Sequence, residues 1–236
     1  MNAVSLDDKY ELLQGRIFLT GVQALVRLTL VQHRRDRQAG LDTAGYVTGY
    51  RGSPLATYDL QLTRARKWLE DESIRFQPGL NEDLALTSVW GSQQAETRGD
   101  GKHDGVFALW YGKGAGVDRS GDAFRHGSNA GASRHGGVLV LLGDDHRAES
   151  SSAVHASEFS MVDFNIPVLN PADIQDILDF GLLAIPMSRF TGSWISLKCS
   201  HDVVESGGSV LVDDRRPAIV LPTDFTIPPD LSLIHI

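Results

Sequence analysis

Apolar positions along this chain keep two rhythms, and the rhythms take turns. Leu25, Leu28 and Val31 recur at helical spacing in a segment covering about residues 20–38. Arg34, Arg35 and Arg37 fill its last turns, which suits a helix C-terminus, and Gly40 fits the left-handed position just beyond. Residues 43–50 then read as a strand, rich in β-branched and aromatic residues and ending at glycine. A helix to about Glu70 follows, then a short strand-like run, Ser73-Ile74-Arg75-Phe76-Gln77-Pro78. The next helix opens at Asn81, a good N-cap, with Glu82 and Asp83 as its acidic first turn. Leu84, Ala85, Val89 and the small Gly91 and Ser92 are expected to lie against a sheet. The helix ends near Thr97, before a polar Gly99-Asp100-Gly101 loop.

The second half repeats the alternation. Val106-Phe107-Ala108-Leu109-Trp110 is a continuous apolar run of the kind buried in a parallel sheet, and Val138-Leu139-Val140-Leu141-Leu142 is another. A Gly/Ala/Ser-rich helical segment, residues 122–133, separates them. Ser150-Ser151-Ser152 reads as a polar loop, and Ile166-Pro167-Val168-Leu169 as a short strand. Pro171 is expected at the first helical position of a segment carrying Ile174, Ile177, Leu178, Leu182 and Ile185, with a further strand at Trp194-Ile195-Ser196-Leu197-Lys198. Residues 1–14 are polar and read as an arm or edge segment. Strands alternating with amphipathic helices predict an α/β fold, a doubly wound and mostly parallel sheet, over residues 1–213. Pro217, Pro222, Pro228 and Pro229 predict an extended linker over 214–230. Residues 231–236, Leu-Ser-Leu-Ile-His-Ile, translate CTG TCT CTT ATA CAC ATC, which resembles a transposon end used in sequencing libraries. They are expected to be an adapter artefact and are left out of the fold argument.

Composition narrows the function classes. The 236 residues are 42% hydrophobic and 22% charged, ordinary for a globular chain able to bury a sizeable core. A net charge of −8 argues against nucleic acid as the main partner. No apolar run is long enough to span a bilayer and no signal peptide precedes Tyr10, so a cytoplasmic location is expected. The single Cys199 rules out a disulfide framework and cannot by itself hold an iron–sulfur cluster, which takes several thiolates.

The candidate chemistry sits at strand ends, where open α/β sheets gather their ligand residues. Arg51, Gly52, Ser53 and Pro54 form a strand-to-helix loop, with Ser53 expected as N-cap and Pro54 as first helical residue; such a loop can bind an anion or approach a flat ligand. Gly112, Gly114 and Gly116 crowd the loop after the first long apolar strand, without the third glycine of a dinucleotide fingerprint. Asp144, Asp145 and His146 end the second. His126, His135, His146 and His155 match no usual zinc spacing, so no metal site is assigned. On spacing alone Glu82 reads first as a solvated acid at a helix start, where acids are common.

Several of these blocks, taken in order, resemble one family. They are Gly49-Tyr50-Arg51-Gly52-Ser53-Pro54-Leu55, Phe76-Gln77-Pro78-Gly79-Leu80-Asn81-Glu82, Val89-Trp90-Gly91-Ser92-Gln93-Gln94, Trp110-Tyr111-Gly112-Lys113-Gly114, Gly116-Val117-Asp118-Arg119-Ser120-Gly121-Asp122, Gly143-Asp144-Asp145-His146 and Pro167-Val168-Leu169-Asn170-Pro171. Up to about residue 213 the chain is similar to the N-terminal part of indolepyruvate ferredoxin oxidoreductase in its long fused form, a 2-oxoacid:ferredoxin oxidoreductase. The resemblance implies the thiamine-diphosphate-binding fold, pyrimidine-binding half. It implies thiamine diphosphate held between two such domains, with Mg²⁺, the diphosphate site and the iron–sulfur clusters in a part of the enzyme outside this sequence. It implies oxidative decarboxylation of aryl 2-oxoacids to acyl-CoA, with coenzyme A and ferredoxin as partners and a homo-oligomeric assembly. In such enzymes a carboxylate bonded to a pyrimidine ring nitrogen drives formation of the reactive cofactor carbon, a role that falls on Glu82. Gly52, Ser53, Pro54, Lys113 and Gly114 would line the cofactor. Arg51, Arg119, Asp144, Asp145 and His146 are substrate candidates, and Arg51, Arg119, Arg147 and Lys113 all remain open for the substrate carboxylate. A non-catalytic α/β binding or regulatory domain is the alternative, and a hydrolase using Asp145 and His146 is weaker because no G-x-S-x-G elbow is present.

Overall fold

The computed structural model of the chain describes residues 4–99, 101–149, 151–213 and 215–224. Its first half carries α1 (Asp8–Glu11), β1 (Gln14–Thr20), α2 (Gly21–Gln38), β2 (Thr43–Gly49), α3 (Tyr58–Arg64), α4 (Arg66–Asp71), β3 (Ile74–Phe76), α5 (Glu82–Arg98) and β4 (Gly105–Lys113). The second half carries α6 (Gly114–Arg119), α7 (Gly121–Ala130), β5 (Val138–Asp144), α8 (Glu158–Asp163), β6 (Val168–Leu169), α9 (Ile174–Thr191), β7 (Ile195–Ser200), α10 (His201–Val204) and β8 (Gly207–Asp213). Six strands form one parallel sheet in the order β3-β2-β4-β5-β7-β6. This is the doubly wound α/β arrangement that the alternating rhythms predict. Among the described residues no helix is long and apolar enough to cross a membrane.

The two long apolar runs are β4 and β5, side by side at the centre. Being covered on both faces, they have no reason to alternate. Phe107, Leu109 and Tyr111 of β4 and Leu139 and Leu141 of β5 pack on one face against α2, α3 and α9. Ala108 and Trp110, with Val138, Val140 and Leu142, pack on the other against α5 and α7. There Trp110, Phe164 and Trp194 surround Phe124 at centroid distances of 5.1, 5.4 and 6.5 Å. Aromatic pairs of this kind add about 0.5–1.5 kcal/mol each beyond the area they bury.

Helix ends follow local chemistry. Thr20 and Gln23 form a reciprocal capping box at the start of α2. The Leu84 N–H donates to Asn81 Oδ1 at 2.8 Å, and Gly99 closes α5 in the left-handed conformation.

Four expectations change. Residues 1–14 are not simply an arm: α1 lies within them, and β1, starting at Gln14, pairs antiparallel with β8 in a separate two-stranded ribbon. Ser53 and Pro54 do not start a helix. Pro54 and Leu55 are buried against the end of β5, where a Cβ at position 143 would stand 3.2 Å from the Pro54 ring; only after this descent does α3 begin, at Tyr58. Pro171 is not a first helical residue either, because Asp173 offers what proline cannot: a carboxylate that caps the Asp176 N–H at 2.9 Å. In α5, Leu84 is 52% exposed and Gly91 faces open space, while Ala85, Leu86 and Val89 turn inward. Leu84 and Gly91 are two turns apart on the outer stripe, so apolar character alone misplaced them. At the other end, Arg216 pairs with Asp179 of α9 at 2.7 Å, which fastens the start of the proline-rich segment. Residues 225–236, with the suspected adapter-derived tail, lie outside the described residues, as does Ser150.

Candidate active site

Because all six strands run parallel, their carboxyl ends share one edge, and the loops leaving that edge hold nearly every residue singled out above. Backbone bonds stitch the loops together: the Tyr50 N–H donates to Tyr111 O at 3.1 Å, and the Gly79 N–H to Gly49 O at 2.8 Å.

Glu82 is the first residue of α5 and is half-buried. Its backbone carbonyl accepts the Trp110 indole N–H at 3.0 Å, which ties the helix start to β4. Its side chain lies on Gly116, where a Cβ would stand 2.5 Å from Glu82 Cγ and 2.9 Å from Oε1. Among the described residues no donor and no cation pairs with this carboxylate. The neighbouring Asp83 contributes its carbonyl to Thr87 Oγ1 at 2.9 Å.

The four cations left open by the sequence differ in how they are placed. Arg147 is engaged by Glu149 at 3.1 Å and Asp202 at 2.7 Å. Arg51 is exposed and its charge acts on Asp59; Arg119 ends α6 and is exposed. Lys113, the last residue of β4, is half-buried, its stem laid along Gly52, and it has no ion pair among the described residues.

Asp144, Asp145 and His146 serve the loop that follows β5. Asp144 is fully buried and accepts the Ser157 N–H at 3.0 Å and the Ser157 hydroxyl at 2.5 Å. Burial pushes its carboxyl above the usual range, against the opposing pull of Ser157 and Lys198. Asp145 accepts the N–H groups of Glu149 and Ser151, both at 3.1 Å. His146 Nδ1 lies 3.0 Å from His155 O, and His155 Nε2 lies 3.2 Å from Asp118 in α6. The His155 ring covers Gly114, and Ser151 Oγ reaches Ser53 O at 3.5 Å, so this loop forms a strap across the edge. His126 and His135 are elsewhere: one stacks near Trp90 and the other pairs with Glu96.

Three features at this edge have no sequence signal. Trp110 reads as core, and only its long-range bond to Glu82 gives it another role. Gly116 reads as one glycine among several. Asp59 reads as a first-turn acid, yet it is close enough to Tyr111 for each to shift the other: burial raises the Asp59 carboxyl against the lowering influence of Tyr111 and the Arg51 charge, and burial followed by Asp59 raises the Tyr111 hydroxyl.

No family model matches the chain, and no curated protein matches it. Among solved structures it is similar to the 2-oxoglutarate:ferredoxin oxidoreductase from Magnetococcus marinus, determined with 2-oxoglutarate, coenzyme A and succinyl-CoA bound, with a TM-score of 0.62. The match covers 91% of this chain at 13% identity. At that identity the likeness is one of fold. The chain spans 33% of that protein's length.

Proposed function

We propose that this chain is the pyrimidine-binding, thiamine-diphosphate part of a 2-oxoacid:ferredoxin oxidoreductase of the indolepyruvate type. The complete enzyme would oxidise aryl 2-oxoacids to acyl-CoA and pass the electrons to ferredoxin. The observation that carries this reading is the Glu82 carboxylate, half-buried at the carboxyl edge and unpaired among the described residues. An acceptor held without a partner at a strand-end edge is suited to a ligand donor. The ordered sequence blocks and the fold shared with a protein that binds 2-oxoglutarate and coenzyme A support the same class.

The residues present fit the cofactor's pyrimidine end. Thiamine diphosphate, when bound, supplies the carbon that adds to the 2-oxoacid and accepts electron density as CO₂ leaves. Glu82 Oε would hold the proton on the far pyrimidine nitrogen, as a general acid–base group must within hydrogen-bond reach. Gly52, Ser53, Pro54 and Gly114 would wall the ring. Lys113 is our assignment for the substrate carboxylate: it is the half-buried cation without an ion pair, and a single ammonium suits a monocarboxylate with an apolar side chain. Mg²⁺, the diphosphate ligands and the iron–sulfur clusters would come from the rest of the enzyme. Cys199 is buried and its thiol is pushed up by burial, which suits a structural thiol and not a cluster ligand. A cytoplasmic homo-oligomer completes the reading.

The test is the complete enzyme, saturated with thiamine diphosphate, reducing ferredoxin or a viologen dye at the expense of a 2-oxoacid. Glu82→Gln is expected to lower kcat about 10²–10⁴-fold. Its stability should move by only about 0.3–1 kcal/mol, the helix-dipole share. Asp83→Asn is expected to leave the rate unchanged. Full activity in Glu82→Gln would overturn the assignment.

A further inference from the structure

Among the described residues Glu82 has nothing polar to fix its side chain, yet a proton-transfer group works only at a fixed position. Two contacts bracket it. The Trp110 indole holds its backbone carbonyl, and Asn81 caps the helix it begins, so its Cα is anchored. Beyond Cβ the constraint found among the described residues is steric. The turn from β4 into α6 brings the Gly116 Cα against the carboxyl, closely enough that an added Cβ would stand 2.5 Å from Cγ, 2.9 Å from Oε1 and 3.1 Å from Cδ. Real Cβ atoms essentially never stand within 3.0 Å of a non-bonded heavy atom, and two of these distances fall below that. The side chain at 116 must therefore be hydrogen, or Glu82 must move.

We infer that Gly116 is a positioning residue: it forms the seat that sets the rotamer of the Glu82 carboxylate, and with it the geometry of proton transfer to the cofactor. This deepens the proposed function and rests on it for the identity of the cofactor, but not for the contact itself. Gly116→Ala should displace Glu82 and leave the fold intact, because the three nearest atoms, Cγ, Cδ and Oε1, all belong to one flexible side chain and alanine suits a helix better than glycine. Gly91→Ala is the matched control: also a helical glycine of this chain, on the same helix as Glu82, but with open space where its Cβ would go.

The experiment has two readouts. In the first, the 236-residue chain is labelled at glutamate carboxyl carbons, and the Glu82 resonance is identified by its loss in Glu82→Gln. That resonance should shift in Gly116→Ala and stay in place in Gly91→Ala. In the second, the complete enzyme carrying each change is assayed with saturating cofactor. Gly116→Ala should lower kcat about 10²-fold, the cost of a misplacement near 1 Å, with KM for the 2-oxoacid unchanged. A Glu82 resonance unmoved in Gly116→Ala overturns the inference, whatever the kinetics. A shifted resonance with wild-type kcat overturns the positioning role while leaving the contact. If the resonance shifts but Glu82→Gln is itself fully active, the seat is real and the proposed function is what fails.

Discussion

The amino and carboxyl edges of the parallel sheet carry similar charged residues and use them in opposite ways. At the amino edge two acids, Asp36 and Glu72, are each held by several partners. Asp36 takes both guanidinium nitrogens of Arg189 at 2.7 Å, the Thr43 hydroxyl at 2.7 Å and Gln32 at 2.9 Å, binding α2, β2 and α9 together. Glu72 collects His33 at 2.9 Å, Arg34 at 2.8 Å and Arg37 at 3.5 Å just before β3 begins. At the carboxyl edge Glu82 and Lys113 are half-buried and have no such partners among the described residues. Asp144 and Asp145 lie between these extremes, saturated by the strap that crosses the edge. Pairing within the chain is what separates charges that hold the fold from charges available to a ligand.

The sharpest way to break that contrast is to cut the amino-edge network. Asp36→Ala leaves Arg189 without its carboxylate, with only the Gly136 carbonyl still bonded among the described residues, and should cost about 3–5 kcal/mol of unfolding free energy in urea, with activity per folded molecule unchanged. A loss of activity at unchanged stability would show that the two edges are not separate in function.

The next contrast is in acid response, and its signs are opposite. Burial pushes Glu72 up, but the hydrogen bonds of Arg34 and His33 outweigh it and hold the group below the ordinary 4.5. Its contribution is therefore complete above pH 4.5 and lost as pH falls through its lower folded value; Glu72→Gln should remove that part of the acid-side loss. Asp144 is raised above the ordinary 3.8 by burial. Its contribution is complete below pH 3.8 and lost as pH rises through the higher folded value, so Asp144→Asn should flatten that part of the curve. Urea midpoints between pH 3 and 7 would test both, and like-signed changes would contradict the account.

The smallest effect belongs to a position outside both networks. Gly91→Ala meets nothing within 4 Å and should stabilise α5 by about 0.5–1 kcal/mol in thermal unfolding. Destabilisation there would mean that the outer stripe of α5 is covered.

What the sequence made legible divides along physical lines. The runs at 106–110 and 138–142 needed no tertiary knowledge, because strands buried on both faces are apolar at every position. Asn81 was legible for the same local reason: a cap is satisfied within three residues. The ribbon was hidden because β8 begins Gly207-Gly208-Ser209, a poor strand signal, and because β1 exposes Phe18 to 69% while burying Ile17 and Leu19. Pro54 and Pro171 misled because proline chemistry permits a helix start without requiring one, and burial of Pro54 and the Asp173 cap decided otherwise. Glu82 could be named from its motif, but its state could not. That state depends on Trp110, 28 positions on, and on Gly116, contacts that no local pattern encodes.

The most direct measurement is a structure of the complete enzyme with thiamine diphosphate bound. The account predicts a Glu82 carboxylate oxygen about 2.6–3.2 Å from the far nitrogen of the pyrimidine ring, with the carboxyl still seated on Gly116. A pyrimidine nitrogen facing any other group, or a cofactor bound away from the carboxyl edge, would contradict it.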